Sequence, residues 1–315
     1  MRTLVIVLAG LLAAAGELAR AQTPPAPIFR FAADGFWLNL HHFLYVLGRD
    51  EAGMPDVKRR AVVGAPKEQE AGLTTLNQAE RQTWKEAVRA YAIGLSQKDA
   101  VFDKEMFSVT NALVTASGPS GSAVLDGAAP IYRKAWWPQH QKANRARVVE
   151  LQTLLSQHGA TILAYITRAY QEPWPADGFP VNLSGYANWA GAYSTTPNLL
   201  VVSSLDEGTQ GLLALEIIFH EAMHQWDDQI FEKLRAAARR TGVARIPGGL
   251  THAMIFYTAG EAVRSVVPSQ VPYAEANGMW ASGGFAPFKT RLDQFWQPYL
   301  AGKGTLDEAL AGLLK

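Results

Sequence analysis

Residues 220 to 224 read His-Glu-Ala-Met-His inside a helical stretch, Leu212 to Leu234, with apolar flanks. Leu212, Leu213, Leu215, Ile217, Ile218 and Phe219 precede the motif, and Met223 and Trp226 lie within or just after it. A helix flanked in this way is buried, and ionisable groups on a buried helix need partners. The fold must therefore bring a second polar element against this one. Residues four apart sit about 40° apart on a helix and one turn along, so His220 and His224 can address one ion. Glu221 is rotated by about 100° from His220, beside such an ion and placed to take a proton from a water on it. Imidazoles in an open tetrahedral site favour Zn²⁺. The competing reading, a solvated helix face carrying three polar residues, is opposed by the flanks.

This pattern resembles the HExxH zinc metallopeptidases, the zincins. The metzincin continuation is absent, since Asp227 stands where its Gly belongs and Ile230 where its third His belongs. The resemblance is to the gluzincins, which take their third ligand, a Glu, from the next helix. Here Thr251 to Val266 shows helical spacing after Pro247-Gly248-Gly249, and Glu261 lies on it, 37 residues after His224. The resemblance implies that His220, His224 and Glu261 hold the metal. Gly260 would allow close helix approach. A buried pair of Glu261 with Arg264 is the alternative, and Glu232 and Glu275 are weaker competitors. Ser265 stands where the gluzincin elaboration has an Asp, so Asp228 or Glu216 is expected to orient the ligand histidines. Tyr257, one turn before Glu261, is the first candidate donor to a developing oxyanion. His252 is the second, although it sits about 180° from Glu261 on an ideal helix. His41 and His42, adjacent in Phe36 to Leu47, cannot both bind one ion and read better as core histidines.

Composition narrows the class. Lys plus Arg number 29 and Asp plus Glu 28, so no basic surplus suggests a nucleic-acid partner. Cysteine is absent, which removes disulfides, thiolate metal sites and a cysteine nucleophile. Arg2, the apolar run Leu4 to Ala15 and Ala19-Arg20-Ala21 read as a secretory signal peptide over residues 1–21. The chain is then exported, to a periplasm or the exterior, with no stable membrane span after cleavage.

Residues 22–315 read as one mainly helical domain. Residues 22–175 form a helical N-terminal part, and 176–315 a zincin-like metal-binding part. Helical spacing covers Phe36 to Leu47, Asn77 to Leu95, Lys98 to Ala116 and Gln139 to Tyr170, with a break expected at Gly159. Asp50 to Gly72 and Gly118 to Ala129 read as loops. Two short strands are expected at Tyr186 to Tyr193 and Leu199 to Ser203. Ser204, three before Glu207, suggests a capped helix start running to about Arg240. The fold class is thus mainly α with a small β element, an HExxH helix packed on a second metal-ligand helix. In gluzincins the strand before the first metal helix pairs with extended substrate.

The functional expectation is an exported zinc hydrolase, a metallopeptidase with Glu221 as general base and a peptide or protein substrate. The alternatives are a non-catalytic exported binding protein in which metal or a polar cluster clamps two helices, and a zinc amidase or esterase.

Overall fold

The computed structural model describes residues 26–116, 118–195, 199–281 and 284–315. The expected signal segment, 1–21, lies outside the described residues. β1 (Phe29–Ala32) leads into α1 (Phe36–Glu51), α2 (Ala65–Leu73), α3 (Gln78–Ile93), α4 (Lys104–Thr115), α5 (Ala123–Ala135), α6 (Trp137–Leu154) and α7 (Ala160–Tyr170). Three strands follow, β2 (Phe179–Ser184), β3 (Ala192–Thr195) and β4 (Leu199–Ser203). The chain closes with α8 (Leu212–Met223), α9 (Asp227–Thr241), α10 (Leu250–Val266) and α11 (Tyr273–Ala276), then the short α12 (Lys289–Arg291) and α13 (Gln297–Leu300), and α14 (Leu306–Leu313). The protein is mainly helical with one small sheet.

The sheet has the order β1-β2-β4-β3, with β3 antiparallel and the other pairs parallel. β4 lies inside the sheet and alternates between two apolar layers. Leu200 and Val202 join the core of α7, α8, α9 and α10, while Leu199 and Val201 pack with Leu38 of α1 and with Tyr193. Burial on both faces is why its sequence is a continuous apolar run. A second core, between α1, α3 and α5, is built on aromatic rings, with Trp84 and Trp136 stacked at 4.3 Å.

Several elements differ from expectation. Residues 186–191 form a loop, and the strand is the shorter β3. β1 and β2 were not anticipated. Pro180 counts against a strand on pattern alone, yet it is accommodated in β2 opposite Arg30 of β1. Gly118 to Ala129 is not all loop, because Ser122 accepts from the Leu125 N–H and starts α5. α2 likewise begins inside the expected loop Asp50 to Gly72. Ser204 does not cap a helix. Its hydroxyl donates to Asn144 at 2.6 Å, and α8 starts only at Leu212, after Gly211 at φ 58°.

The buried polar residues of α1 and α6 set where the sheet meets the helices. Asn39 donates to the carbonyls of Gly35 and Leu183 and accepts from the Gly185 N–H and from Asn144. His42 bridges Ser184 and the Tyr193 hydroxyl, and His41 bonds Tyr91, so both histidines are core residues. Buried Arg147 donates to the carbonyls of Thr209, Ser204 and Asp206, and Glu150 accepts from the Gly211 N–H. This locks the loop that delivers the chain into α8.

Asn39→Ala would strand the Gly185 N–H, the Leu183 carbonyl and one side of Asn144 in the interior. Urea denaturation at pH 7 should show a loss on the order of 3 kcal/mol, since each stranded buried group costs about 1–3 kcal/mol. A loss below about 1 kcal/mol would mean that water or side-chain rearrangement satisfies these groups.

Candidate metal centre

α8 delivers His220 at its last turn and ends at Met223, and His224 opens a single 3₁₀ turn, His224–Trp226, before α9. The long helix read through this region is therefore broken at the last residue of the motif. The break matters for His224. In a 3₁₀ turn positions i and i+3 eclipse, and Asp227 accepts from His224 Nδ1 at 2.9 Å. Asp228, the expected partner at i+4, is exposed instead. With Nδ1 bonded to a carboxylate, His224 has Nε2 left for an ion.

α10 packs against α8 and brings His252, whose Nε2 lies 3.3 Å from Nε2 of His220. One ligand atom from each of His220, His224 and His252 lies within 4.8 Å of the others. Two nitrogens each about 2.05 Å from a tetrahedral zinc sit about 3.3 Å apart, which is the spacing of the His220–His252 pair. Phe256 covers the group from α10, its ring 3.8 Å from His220 and 4.8 Å from His252.

Electrostatics favour neutral ligands at two positions. Burial, with His224 and His252 nearby, holds His220 well below the ordinary histidine value. Burial, with His224 beside it, lowers His252 to about 4. His224 goes the other way. Burial works against its cation, but the Asp227 hydrogen bond and the charges of Glu221 and Asp227 outweigh it and raise the pKa.

Glu221 faces the same cavity from α8. It accepts from the Ser194 hydroxyl of β3 at 2.9 Å and also from the Ser194 N–H. Burial raises its pKa, partly offset by His224 and these bonds. The cavity has a volume of about 1050 Å³ and is lined by the three histidines, Glu221 and the edge strand β3. Arg60, from the loop before α2, and Tyr273, at the start of α11, also line it.

The structure does not bring Glu261 to this group. His252 and Glu261 are nine residues apart on one regular helix, so only one of them can face α8. His252 does. Glu261 instead pairs with Arg264 at 2.9 Å, and Arg264 also binds Glu275. Glu232 pairs with Arg235. Tyr257, on the Glu261 face, donates its hydroxyl to Asp293 at 2.8 Å. Gly260 serves a close approach, but of Pro272 rather than α8: a Cβ there would lie 2.6 Å from the Pro272 Cβ. Glu216 turns both carboxylate oxygens to the Tyr273 N–H, at 2.9 and 3.0 Å. Asp227, Ser194, Arg60 and Tyr273 escaped the sequence reading. Only Asp227 carried a signal, its i+3 spacing from His224.

No protein-family model, no curated protein and no solved structure matches this chain.

Asp227→Asn removes the hydrogen bond and charge of Asp227 that raise His224, leaving only the Glu221 charge against burial, which lowers it. NMR titration of the metal-free protein should show the His224 pKa falling below its wild-type value. A raised folded-state histidine pKa contributes stability below the unfolded value of about 6.5, lost as pH rises through the folded value. The variant should therefore be destabilised relative to wild type more at pH 5.5 than at pH 8.5. An unchanged His224 titration would show that Asp227 does not hold this proton.

Proposed function

We propose that this chain is a zinc-dependent hydrolase of the zincin kind that cleaves peptide bonds, with His220, His224 and His252 as ligands and Glu221 as general base. The observation that carries the reading is the convergence of three imidazoles on one point in a large cavity, with a carboxylate beside them. Zinc held there would lower the pKa of a water and polarise the scissile carbonyl. Glu221 takes a proton from the attacking water as the C–O bond forms. It then returns that proton to the amine nitrogen as the C–N bond breaks. Its raised pKa suits both roles, since the carboxylate must accept a proton and then part with it.

The edge strand supports a peptide substrate. The Gly191 carbonyl accepts from the Ser203 N–H of β4. Backbone groups alternate between the two edges of a strand, so the Ala192 N–H and carbonyl and the Ser194 carbonyl face the cavity side, while the Ser194 N–H is held by Glu221. An extended peptide can pair there by strand addition. The likeness to gluzincins lies in the order of strand, HExxH helix and second ligand helix; a His in place of the Glu departs from it. The N-terminal pattern supports export, and no helix among the described residues is long and apolar enough to cross a membrane.

A purely structural metal would need neither Glu221 nor an open cavity. Zinc content after dialysis, combined with cleavage of a mixed peptide library, tests the assignment. Wild type, Glu261→Ala and Glu221→Gln should retain one zinc, His252→Ala should lose most of it, and Glu221→Gln should not cleave. Zinc lost from Glu261→Ala but kept by His252→Ala would restore the gluzincin ligand set. A wild type that holds zinc and cleaves no peptide would favour a helix clamp or a non-peptide amide or ester.

A further inference from the structure

We infer that Tyr273, held by Glu216, is the hydrogen-bond donor to the substrate carbonyl oxygen as it gains negative charge. The inference rests on the hydrolase reading above and adds a catalytic residue to it.

Three observations place the phenol. Tyr273 lines the same cavity as His220 and Glu221. Its ring is parallel to that of Phe256, with an interplanar angle of 8° and centroids 6.2 Å apart, and Phe256 in turn lies against His220. The backbone that carries it is tied down twice, by Pro272 seated on Gly260 and by the Tyr273 N–H on Glu216. Glu216 sits one turn before His220 on α8, so one helix positions both the ligands and the donor.

Proton bookkeeping selects Tyr273 over Tyr257. The Arg60 guanidinium lies beside the Tyr273 phenol and is itself anchored to Asp206. A guanidinium can only donate, so Arg60 cannot take the phenol proton. The phenol proton is then free, and among the described residues Tyr273 Oη donates to no side chain or carbonyl. Tyr257 has already committed its proton to Asp293. An oxyanion needs a donor with a proton to offer, and of these two tyrosines Tyr273 is the one that lines the cavity with its proton uncommitted. Burial raises the Tyr273 pKa while Arg60 opposes the rise, so the phenol stays protonated at neutral pH. No proton transfer is required of it, only a hydrogen bond that strengthens as charge develops.

The test uses the zinc-loaded full chain with two readouts. The first is kcat and KM on the best peptide from the library. The second is affinity for N-phosphoryl-leucine amide, a tetrahedral anion that resembles the reacting carbonyl. Tyr273→Phe should keep its zinc, lose about 10²-fold in kcat with little change in KM, and bind the phosphoryl compound at least about tenfold more weakly. Tyr257→Phe should bind it like wild type. Glu216→Gln should weaken it too, and should add nothing in the Tyr273→Phe background, because a positioning residue acts only through the group it positions. Phosphoryl affinity within twofold of wild type in Tyr273→Phe, or a loss confined to Tyr257→Phe, would overturn the inference. If Glu221→Gln is then still inactive with zinc bound, the hydrolase reading survives without it. A wild type that binds no zinc would overturn both.

Discussion

Two imidazole nitrogens lie 3.3 Å apart on facing helices, with a nitrogen of a third histidine within 4.8 Å of both. Burial disfavours the charged forms of His220 and His252, and under the proposed function a cation is the partner the three nitrogens share. Around this group the fold supplies what a cation site needs: an apolar wall from Phe256, a carboxylate on the outer nitrogen of His224, and an opening to solvent. Three histidines at the boundary of the apolar core of α8 and α10 are consistent with the single shared partner of the proposed function.

The rest of the molecule can be read as support for that pair of helices. Arg147 and Glu150 of α6 hold the loop that enters α8. Asn39 and Asn144 tie the end of β2 to α1 and α6. His42 holds Tyr193 on β3, the strand whose Ser194 then anchors Glu221. These are buried polar contacts with their partners in place, which makes them stiff and directional where apolar packing alone would allow sliding. The general base of the proposed function has to keep a close position, and the contacts from His42 through Tyr193 and Ser194 to Glu221 support one.

The two faces of α10 divide the labour. One face carries His252 and Phe256 towards the cavity. The other carries Tyr257, Glu261 and Arg264 into a surface network with Asp293, Glu275 and Lys289. The donors on that second face are paired with each other, so none has a proton or a charge to lend the site. The loop after α10 compensates by folding back over α8 and presenting Tyr273.

Much of this was legible without coordinates. The mainly helical class, α1, α3, α10 and the strand Leu199 to Ser203 follow from apolar spacing. His220, Glu221 and His224 follow from a local rule, because helix geometry alone puts residues four apart on one face. His252 was recognised as a site residue, but its role was not. The choice between His252 and Glu261 depends on the rotation of α10 about its own axis. That rotation is set by how Phe256, Ala253 and Gly260 pack against α8 and Pro272, and no local pattern encodes it. Asp227 replaced Asp228 because one turn tightened from α to 3₁₀. β1 and β2 come from distant parts of the chain, and their pairing is a long-range event. Tyr273 and Arg60 meet from loops more than two hundred residues apart. The sequence by itself determined which residues can carry the chemistry; only the tertiary structure decided which of them share one point, because that depends on packing between segments that are far apart in the chain.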